Sequence, residues 1–156
     1  MHIHYISEQN SILNHFLAQI RDVNIQKDSM RFRKNIERIG EIMAYELSKN
    51  LEYKEISVQT PLGIKHTTTV AEKVVLCSIL RAGLALHTGF MNFFDDAENG
   101  FVSAFRHHYN NDDAFEILVE YQAAPSFENK NLILIDPMLA TGQSIVAVLH
   151  KLHLEQ

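Results

Sequence analysis

The sequence has little of what marks a secreted or membrane-bound protein. Its 156 residues include one cysteine, Cys77, which excludes a disulfide framework within the chain and is typical of a reducing compartment. No apolar run approaches the ~20 residues with which a helix crosses a bilayer. The segment Met1–Tyr5 lacks the basic residues and the apolar run of a signal peptide. We therefore expect a soluble cytoplasmic protein that contacts no membrane.

Positive charge is also scarce. The chain has 14 Lys and Arg against 19 Asp and Glu, a formal net charge of −5, so no global basic field attracts nucleic acid. An anionic ligand would need a local cationic site. Repeats, low-complexity tracts and Pro-, Gly- or Ser-rich linkers are missing too, while 46% of the residues are hydrophobic. This composition predicts a single globular domain over residues 1–156.

Helical periodicity dominates the first third of the chain. Apolar residues recur at helical spacing in Ser11–Arg21, which predicts a helix there. A longer helix is predicted for Ser29–Lys49. In it, apolar residues three or four apart form one stripe that should lie in the core or in a subunit interface: Phe32, Ile36, Ile39, Met43 and Leu47.

Strands and helices alternate in the rest of the chain. The predicted strands are Glu55–Thr60, Ile64–Thr68, Val74–Leu80, Phe101–Phe105, Phe115–Tyr121 and Leu132–Ile135, and the predicted helices are Ala82–Phe94 and Ser144–Leu154. This order predicts an α/β fold with a largely parallel sheet flanked by helices and a β-hairpin arm. In such sheets ligands bind where loops leave the carboxyl ends of the strands. That rule directs attention to Arg81–Gly83 and to Asp136–Ser144.

The segment Asp136–Ser144 has the chemistry of a phosphate site. A buried strand ends in a carboxylate, and a short loop then leads through Thr141 and Gly142 into a helix. Backbone N–H groups at the loop and helix start, with the helix dipole behind them, make a cradle for a phosphate. Asp136 would repel a phosphate but suits the hydroxyl donors of a sugar. The pattern favours a ribose 5-phosphate.

Other phosphate motifs are missing. A Walker loop needs Lys after the glycine, where this chain has Gln143, and no G-x-G-x-x-G occurs. The spacing by itself is equally consistent with an ordinary strand–loop–helix connection capped by Thr or Ser.

The residues themselves resemble those of uracil phosphoribosyltransferases, a branch of the type I phosphoribosyltransferases. The resemblance lies mainly in the phosphoribosyl-pyrophosphate signature, formed here by Asp136, Pro137, Met138, Leu139, Ala140, Thr141, Gly142, Gln143 and Ser144. Related phosphoribosyltransferases usually have a second acid where this chain has Pro137, which favours the uracil branch. Gln143 departs from the family's usual Gly, and its side chain would either crowd the phosphate turn or point outward. The segments Ser78–Leu84 and Phe105–Arg106 are similar to the family's pyrophosphate loop and second pyrophosphate-binding arginine.

The resemblance implies an activity and roles for these residues. The expected reaction converts uracil and phosphoribosyl pyrophosphate into UMP and pyrophosphate. Arg81 and Arg106, with Mg²⁺ carried by the substrate, would stabilise the departing pyrophosphate, and Asp136 would hold the ribose hydroxyls. From the residues alone, each arginine could equally form a surface ion pair. The resemblance also implies a homodimer or higher even oligomer and a cis peptide bond at Arg81-Ala82-Gly83.

The family pattern continues beyond residue 156. The resemblance implies further strands and a uracil-recognising segment after Gln156, so we expect the domain to be incomplete at its C-terminus. Residues 1–156 should then bind phosphoribosyl pyrophosphate without transferring uracil at a useful rate. Two alternatives stay open, a non-catalytic or regulatory protein that binds phosphoribosyl pyrophosphate and a transferase for another base.

Several other residues invite a functional interpretation. His150 and His153 share a helical face, but two ligands make a poor zinc site, and the pair His107-His108 lies in a stretch to Asp113 that is typical of a hairpin tip. The hairpin from His107 to Glu120 would cover the site. Cys77 lies in an apolar run and is expected to be a buried, inert thiol.

Overall fold

A computed structural model describes residues 3–108 and 115–152 of the chain, leaving out the side chains of residues 106–108, 115 and 116. The described helices are α1 (Ile12–Arg21), α2 (Ser29–Ser48), α3 (Leu84–Met91) and α4 (Gln143–Lys151), with a short 3-10 helix at Ile25–Lys27. The described strands are β1 (Tyr53–Thr60), β2 (Gly63–Val70), β3 (Val74–Leu80), β4 (Glu98–Ser103), β5 (Phe105–His108), β6 (Phe115–Leu118), β7 (Gln122–Ala123) and β8 (Asn131–Ile135).

The main sheet has the strand order β7-β4-β3-β8. The central strand β3 runs parallel to both β4 and β8, whereas β7 pairs with β4 in the antiparallel sense. All residues of β3 except Leu80 are buried. A parallel strand covered on both faces reads as a continuous apolar run, which explains why the bounds predicted for this strand are confirmed.

Helices cover both faces of this sheet. One face carries a core cluster to which α1, α2 and α3 contribute together with alternate residues of β3 and β8, among them Leu76 and Ile135. The other face carries a second cluster in which Cys77 and Ile79 pack with Val148 of α4. Because successive side chains of a strand point to opposite faces, β3 supplies both clusters. The predicted α/β architecture is confirmed.

The long helix α2 begins and packs for identifiable reasons. Asp28 caps it, since one carboxylate oxygen accepts hydrogen bonds from the backbone N–H groups of Met30 at 3.1 Å and Arg31 at 3.0 Å. Farther along, α2 crosses α3 so closely that a Cβ built on Gly40 would lie 2.5 Å from the carbonyl oxygen of Leu86. Most of the predicted stripe is buried or half-buried. Phe32 is 36% exposed, because it lies about two turns before this crossing.

Two hairpins stand apart from the main sheet. Strands β1 and β2 pair along their whole length, from Tyr53 with Val70 to Thr60 with Gly63, and most of their residues are exposed, which confirms the predicted arm. Strands β5 and β6 form the second hairpin. The tip predicted within His107–Asp113 lies partly outside the described residues. None of the described helices is long and apolar enough to span a membrane.

Several predicted boundaries were wrong. The strand expected at Phe101–Phe105 ends at Ser103, and Phe105 begins the next strand. The reason is a tertiary contact between Ser103 and Tyr121. The backbone N–H of Ser103 donates to the carbonyl of Tyr121, and the N–H of Tyr121 donates to the hydroxyl of Ser103. The strand expected at Phe115–Tyr121 ends at Leu118, and β7 was not expected. The helix expected at Ala82–Phe94 is confined to Leu84–Met91.

Candidate active site

Three loops leave the main sheet side by side. In the register of the sheet, Leu80 at the end of β3 pairs with Ser103 at the end of β4, and Ser78 pairs with Ile135 at the end of β8. The carboxyl ends of these strands therefore form one edge, with β3 in the middle. This edge brings together the predicted pyrophosphate loop, the start of the β5–β6 hairpin and the Asp136–Ser144 segment.

The first loop, residues Arg81–Gly83, joins β3 to α3. The non-proline peptide bond Leu80–Arg81 is cis, so the expected kind of bond is present but lies at the entrance of the expected segment. Arg81 is exposed. Among the residues that the structure describes, its guanidinium makes no hydrogen bond or ion pair. The described part of the chain therefore holds no surface ion pair of Arg81, which leaves its guanidinium available to an anion there.

The second loop, between β8 and α4, begins at Asp136. One carboxylate oxygen of Asp136 accepts a hydrogen bond from the backbone N–H of Met138 at 3.3 Å, which forms an Asx turn. The other carboxylate oxygen remains available to sugar hydroxyl donors. Met138 and Leu139 follow with 76% and 71% of their surface exposed. The loop is thus held at its carboxylate and open beyond it.

The end of the second loop has the geometry of an anion cradle. Gly142 adopts a left-handed conformation with φ +78° and precedes α4, whose first turn contains no acidic residue. The hydroxyl of Thr141 accepts a long hydrogen bond, 3.5 Å, from the backbone N–H of Gln143. The first N–H groups of a helix have no carbonyl partner within it, and together with the helix dipole they favour an anion. Gln143 is exposed, which agrees with a side chain that points outward and does not crowd the phosphate turn.

The third loop carries Arg106. Its backbone lies in β5, opposite Ile117 of β6, and follows β4 after a short break. The strands that precede Arg81 and Arg106, β3 and β4, are neighbours in the sheet. The side chain of Arg106 lies outside the described part of the structure, so its convergence with Arg81 stays a prediction.

Other candidates give no second site. Within the described part of the chain, no group of three or more His, Cys, Asp and Glu side chains could hold a metal ion. His153 and the side chains of His107 and His108 lie outside the described residues. Cys77 is buried, which confirms that part of the expectation, and burial raises the pKa of its thiol to about 11.

A buried histidine, His87, lies in α3 behind the first loop. Its Nε2 is 2.8 Å from Oδ1 of Asn99, and the amide nitrogen of Asn99 donates to the carbonyl of Ala97 at 3.1 Å. Because Oδ1 only accepts, Nε2 carries the proton. The Nδ1 atom is buried without a hydrogen-bond partner in the described structure. Burial lowers the pKa of His87, and the hydrogen bond to Asn99 partly opposes that effect.

Comparison with known proteins shows to which family the chain belongs. A sequence model of the uracil phosphoribosyltransferase family matches residues 6–156. The chain belongs to the uracil phosphoribosyltransferase family. The uracil phosphoribosyltransferase of Porphyromonas gingivalis is 50% identical to it over 145 residues, which cover 93% of this chain and 67% of the relative. That of Methanothermobacter thermautotrophicus is 36% identical over 145 residues, which cover 92% of this chain and 65% of the relative. This chain thus spans about two thirds of the length of these curated relatives.

Solved structures show what fold this is. A protein of Aquifex aeolicus is 27% identical with a TM-score of 0.78, and the match covers 92% of this chain and 66% of that one. A hypoxanthine phosphoribosyltransferase from Staphylococcus aureus has a TM-score of 0.52 at 16% identity, covering 78% of this chain and 56% of that one. The latter likeness concerns the fold alone. The fold is that of the type I phosphoribosyltransferases.

Sequence reasoning missed one structural feature of the site. The sequence placed Ser78 and Gly83 within the segment that resembles the pyrophosphate loop but assigned neither a role, although Gly83 lies against Ile135 and Ser78 pairs with Ile135 at the end of β8. Apart from the family resemblance, the signal for the role of Gly83 is a glycine two residues after Arg81. A glycine in that place fits many turns, and only the tertiary contacts reveal what it touches.

Proposed function

We propose that the protein transfers ribose 5-phosphate from phosphoribosyl pyrophosphate to uracil, forming UMP and pyrophosphate. The observation that carries this proposal is the adjacency, at one sheet edge, of Arg81, which has no partner among the described residues, and the anion loop from Asp136 to Gly142. Membership of the uracil phosphoribosyltransferase family supports the choice of base. In the reaction, the bond between C1 of the ribose and the pyrophosphate oxygen breaks with its electron pair on that oxygen. A bond from the base nitrogen to C1 forms, and that nitrogen loses its proton.

Arg81 and Arg106 are assigned to the pyrophosphate. Charge accumulates on the leaving oxygens as the C1–O bond breaks, and preorganised cations lower the energy of that state more than that of the bound substrate. The lack of an acidic partner for Arg81 in the described structure supports this role, since its charge need not be withdrawn from another ion pair. Guanidinium groups can bind two phosphate oxygens at once.

Asp136 and the loop that follows are assigned to the ribose 5-phosphate. The carboxylate holds the ribose hydroxyls and favours the positive charge that develops on the ring. Backbone N–H groups around Gly142, with the hydroxyls of Thr141 and Ser144, bind the 5-phosphate. The Asx turn at Asp136 supports this arrangement because it fixes the carboxylate at the strand end.

The surroundings of the reaction complete the proposal. Mg²⁺ enters with phosphoribosyl pyrophosphate on its phosphate oxygens, because this ion keeps waters and binds readily to phosphates. The β5–β6 hairpin covers the site and limits hydrolysis of the reactive sugar. The protein works in the cytoplasm as a homodimer or a higher even oligomer.

Ligand binding and turnover test the proposal separately. Calorimetric titration with phosphoribosyl pyrophosphate and Mg²⁺ is run on residues 1–156 and on the natural full-length protein, and labelled uracil is supplied to the latter. We expect binding by both and UMP formation by the full-length protein. Arg81→Gln should weaken binding about tenfold or more, since hydrogen bonds to charged groups contribute about 1.5–3 kcal/mol each. Arg21→Gln, at an exposed arginine of α1, is the matched control.

The contrary outcomes are distinct. Binding without transfer to uracil or any other base would support a regulatory protein instead. Transfer to hypoxanthine but not to uracil would identify a different substrate. If neither length of chain binds phosphoribosyl pyrophosphate, the anion loop is only scaffold and the proposal is wrong.

A further inference from the structure

Gly83 lies where three elements of the site meet. It is the last residue of the first loop and the N-cap of α3, and both its backbone N–H and its carbonyl form hydrogen bonds. Its N–H donates to the carbonyl of Ile79 at 3.0 Å, and its own carbonyl accepts from the N–H of His87 at 2.8 Å. Its φ of −66° and ψ of −16° are open to any residue. Backbone conformation therefore does not require glycine at this position.

The small space around position 83 does require glycine. A Cβ built on Gly83 would overlap the hydroxyl of Ser78, and it would lie 2.7 Å from the carbonyl oxygen of Ile79 and 3.0 Å from that of Ile135. Two of these three neighbours are backbone atoms, which cannot rotate away as a flexible side chain can. The first loop therefore rests directly on the ends of β3 and β8.

The contact with Ile135 links the two halves of the site. Ile135 directly precedes Asp136, and Gly83 is two residues from Arg81, so the point of contact is close in the chain to both functional groups. Ser78 and Ile135 are paired across the sheet, which fixes the surface on which Gly83 rests. A displacement of Gly83 would therefore be transmitted to Arg81 on one side and resisted by the strand that leads to Asp136 on the other.

Ser78 provides the part of this surface that can be altered. Its side chain is fully buried, and its hydroxyl has no hydrogen-bond partner in the described structure. A buried hydroxyl without a partner adds little to folding and is normally disfavoured. Its position beneath Gly83 makes it a contact surface of the loop, small enough to admit the glycine.

We propose that Gly83 is a positioning residue that sets the separation of Arg81 and Asp136 by docking the first loop on Ser78 and Ile135. The inference rests on the proposed function for its kinetic consequences, though its geometry does not. A methyl group at position 83 lifts the loop from the end of β8 and moves the arginine away from the leaving group. Misplacement of a catalytic group by 1 Å can cost roughly 100-fold in rate.

Kinetics and crystallography of variants test this role in the full-length protein. Gly83→Ala should lower kcat/KM for phosphoribosyl pyrophosphate by about 10- to 100-fold, with a reduced kcat in protein that is still folded at the assay temperature. Ser78→Ala combined with Gly83→Ala should recover part of that loss, because one of the three overlaps is removed. In crystal structures the Cα separation of Arg81 and Asp136 should increase in Gly83→Ala by several tenths of an ångström and fall back in the double variant.

A matched control separates positioning from folding. Gly100→Ala introduces a Cβ that would lie 3.0 Å from the Cβ of Ala124 and 3.4 Å from Sγ of Cys77, in the sheet and away from both loops. It should lower Tm but leave kcat and KM within twofold of wild type. Should Gly83→Ala not fold, Ser78→Cys replaces oxygen by the larger sulfur and presses on Gly83 from the strand side. Ser78→Cys should increase the Arg81–Asp136 separation and lower kcat/KM, each by less than is expected for Gly83→Ala.

Two results would overturn the inference. One is an unchanged Arg81–Asp136 separation in Gly83→Ala, or in Ser78→Cys where the first variant does not fold. The other is a double variant no more active than Gly83→Ala. A wild-type protein that transfers no uracil would contradict the proposed function alone, because the crystallographic separation still decides the positioning role.

Discussion

The first and second loops of the site end in glycines that are required for different reasons. Gly83 and Gly142 each precede a helix after a parallel strand, and β3 and β8 are neighbours. Gly83 has an ordinary φ of −66° but no room for a Cβ. Gly142 has room, its nearest neighbour being Cδ1 of Leu139 at 3.8 Å from a built Cβ, but a φ of +78° that strains any other residue. One glycine permits close packing, and the other permits a backbone turn.

The two loops also differ in how closely they pack against the rest of the protein. The first loop is seated on backbone atoms of two strands, so the arginine proposed to bind pyrophosphate starts from a supported position. The second loop has exposed apolar side chains at Met138 and Leu139 and few contacts beyond its Asx turn. The N–H groups of Met138 and Gln143 donate within the loop, whereas those of Leu139–Gly142 have no partner in the described structure and are left for a phosphate. A supported cation and an open anion cradle agree with the roles proposed for the two loops.

The largest effect is expected at the carboxylate of the second loop. Asp136→Asn keeps the shape of the side chain but removes its charge, so the fold should persist. Loss of transition-state stabilisation of about 2–4 kcal/mol should lower kcat roughly 30- to 1,000-fold in steady-state assays of uracil transfer. Asp95→Asn, at an exposed aspartate before β4 on the opposite edge of the sheet, should change kcat by less than twofold. Activity of Asp136→Asn within a factor of two of wild type would remove Asp136 from its assigned role.

A smaller effect is expected from the left-handed turn, and it tests the contrast between the glycines. Gly142→Ala should cost about 1–2 kcal/mol in the free energy of unfolding, because a Cβ is strained at positive φ, and Gly142→Asn should cost less, because asparagine tolerates that conformation. At position 83 the order should reverse, since asparagine is larger than alanine and the limit there is space. Denaturant titration of the four variants measures both orders. The same order at both positions would mean that the two glycines do not differ in the way described.

The smallest effect concerns the helices that follow the two loops. The pKa of His87 in α3 is lowered by burial from its ordinary value of 6.5, so below that pH the unfolded chain binds a proton that the folded chain does not. The free energy of unfolding should therefore fall as pH drops through 6.5 toward the folded-state pKa, with a slope of at most about 1.4 kcal/mol per pH unit from this group. As the pH falls, amide hydrogen exchange, corrected for the intrinsic rate, should begin to increase in α3 at a higher pH than in α4.

A variant isolates that contribution from the other histidines. The chain has nine histidines, so wild type is compared with His87→Gln, which should lack this part of the slope. An identical pH dependence in the two proteins would show that His87 does not titrate on unfolding in this range.

Much of the framework was predictable from local pattern. The bounds of β3 follow from an unbroken apolar run, and those of α2 from helical spacing after an aspartate that caps it. The break between β4 and β5 was not predictable, because it depends on hydrogen bonds between Ser103 and Tyr121, which are far apart in sequence. The exposure of Phe32 likewise depends on where α2 crosses α3. A cis bond near this point was expected only from the family resemblance, which placed it within Arg81-Ala82-Gly83, whereas it lies at Leu80–Arg81.

The sequence by itself determined the chemistry available and the order in which it is presented. The carboxylate of Asp136, the glycine that permits a left-handed turn and the arginine after an apolar strand are properties of residue type and spacing. Their assembly into one site is a tertiary property, because it depends on β3 lying between β4 and β8 and on register between strands distant in the chain. The role of Gly83 is the clearest case. Glycine carries no side chain whose chemistry can be read, and only the backbone atoms packed against it reveal why nothing larger fits.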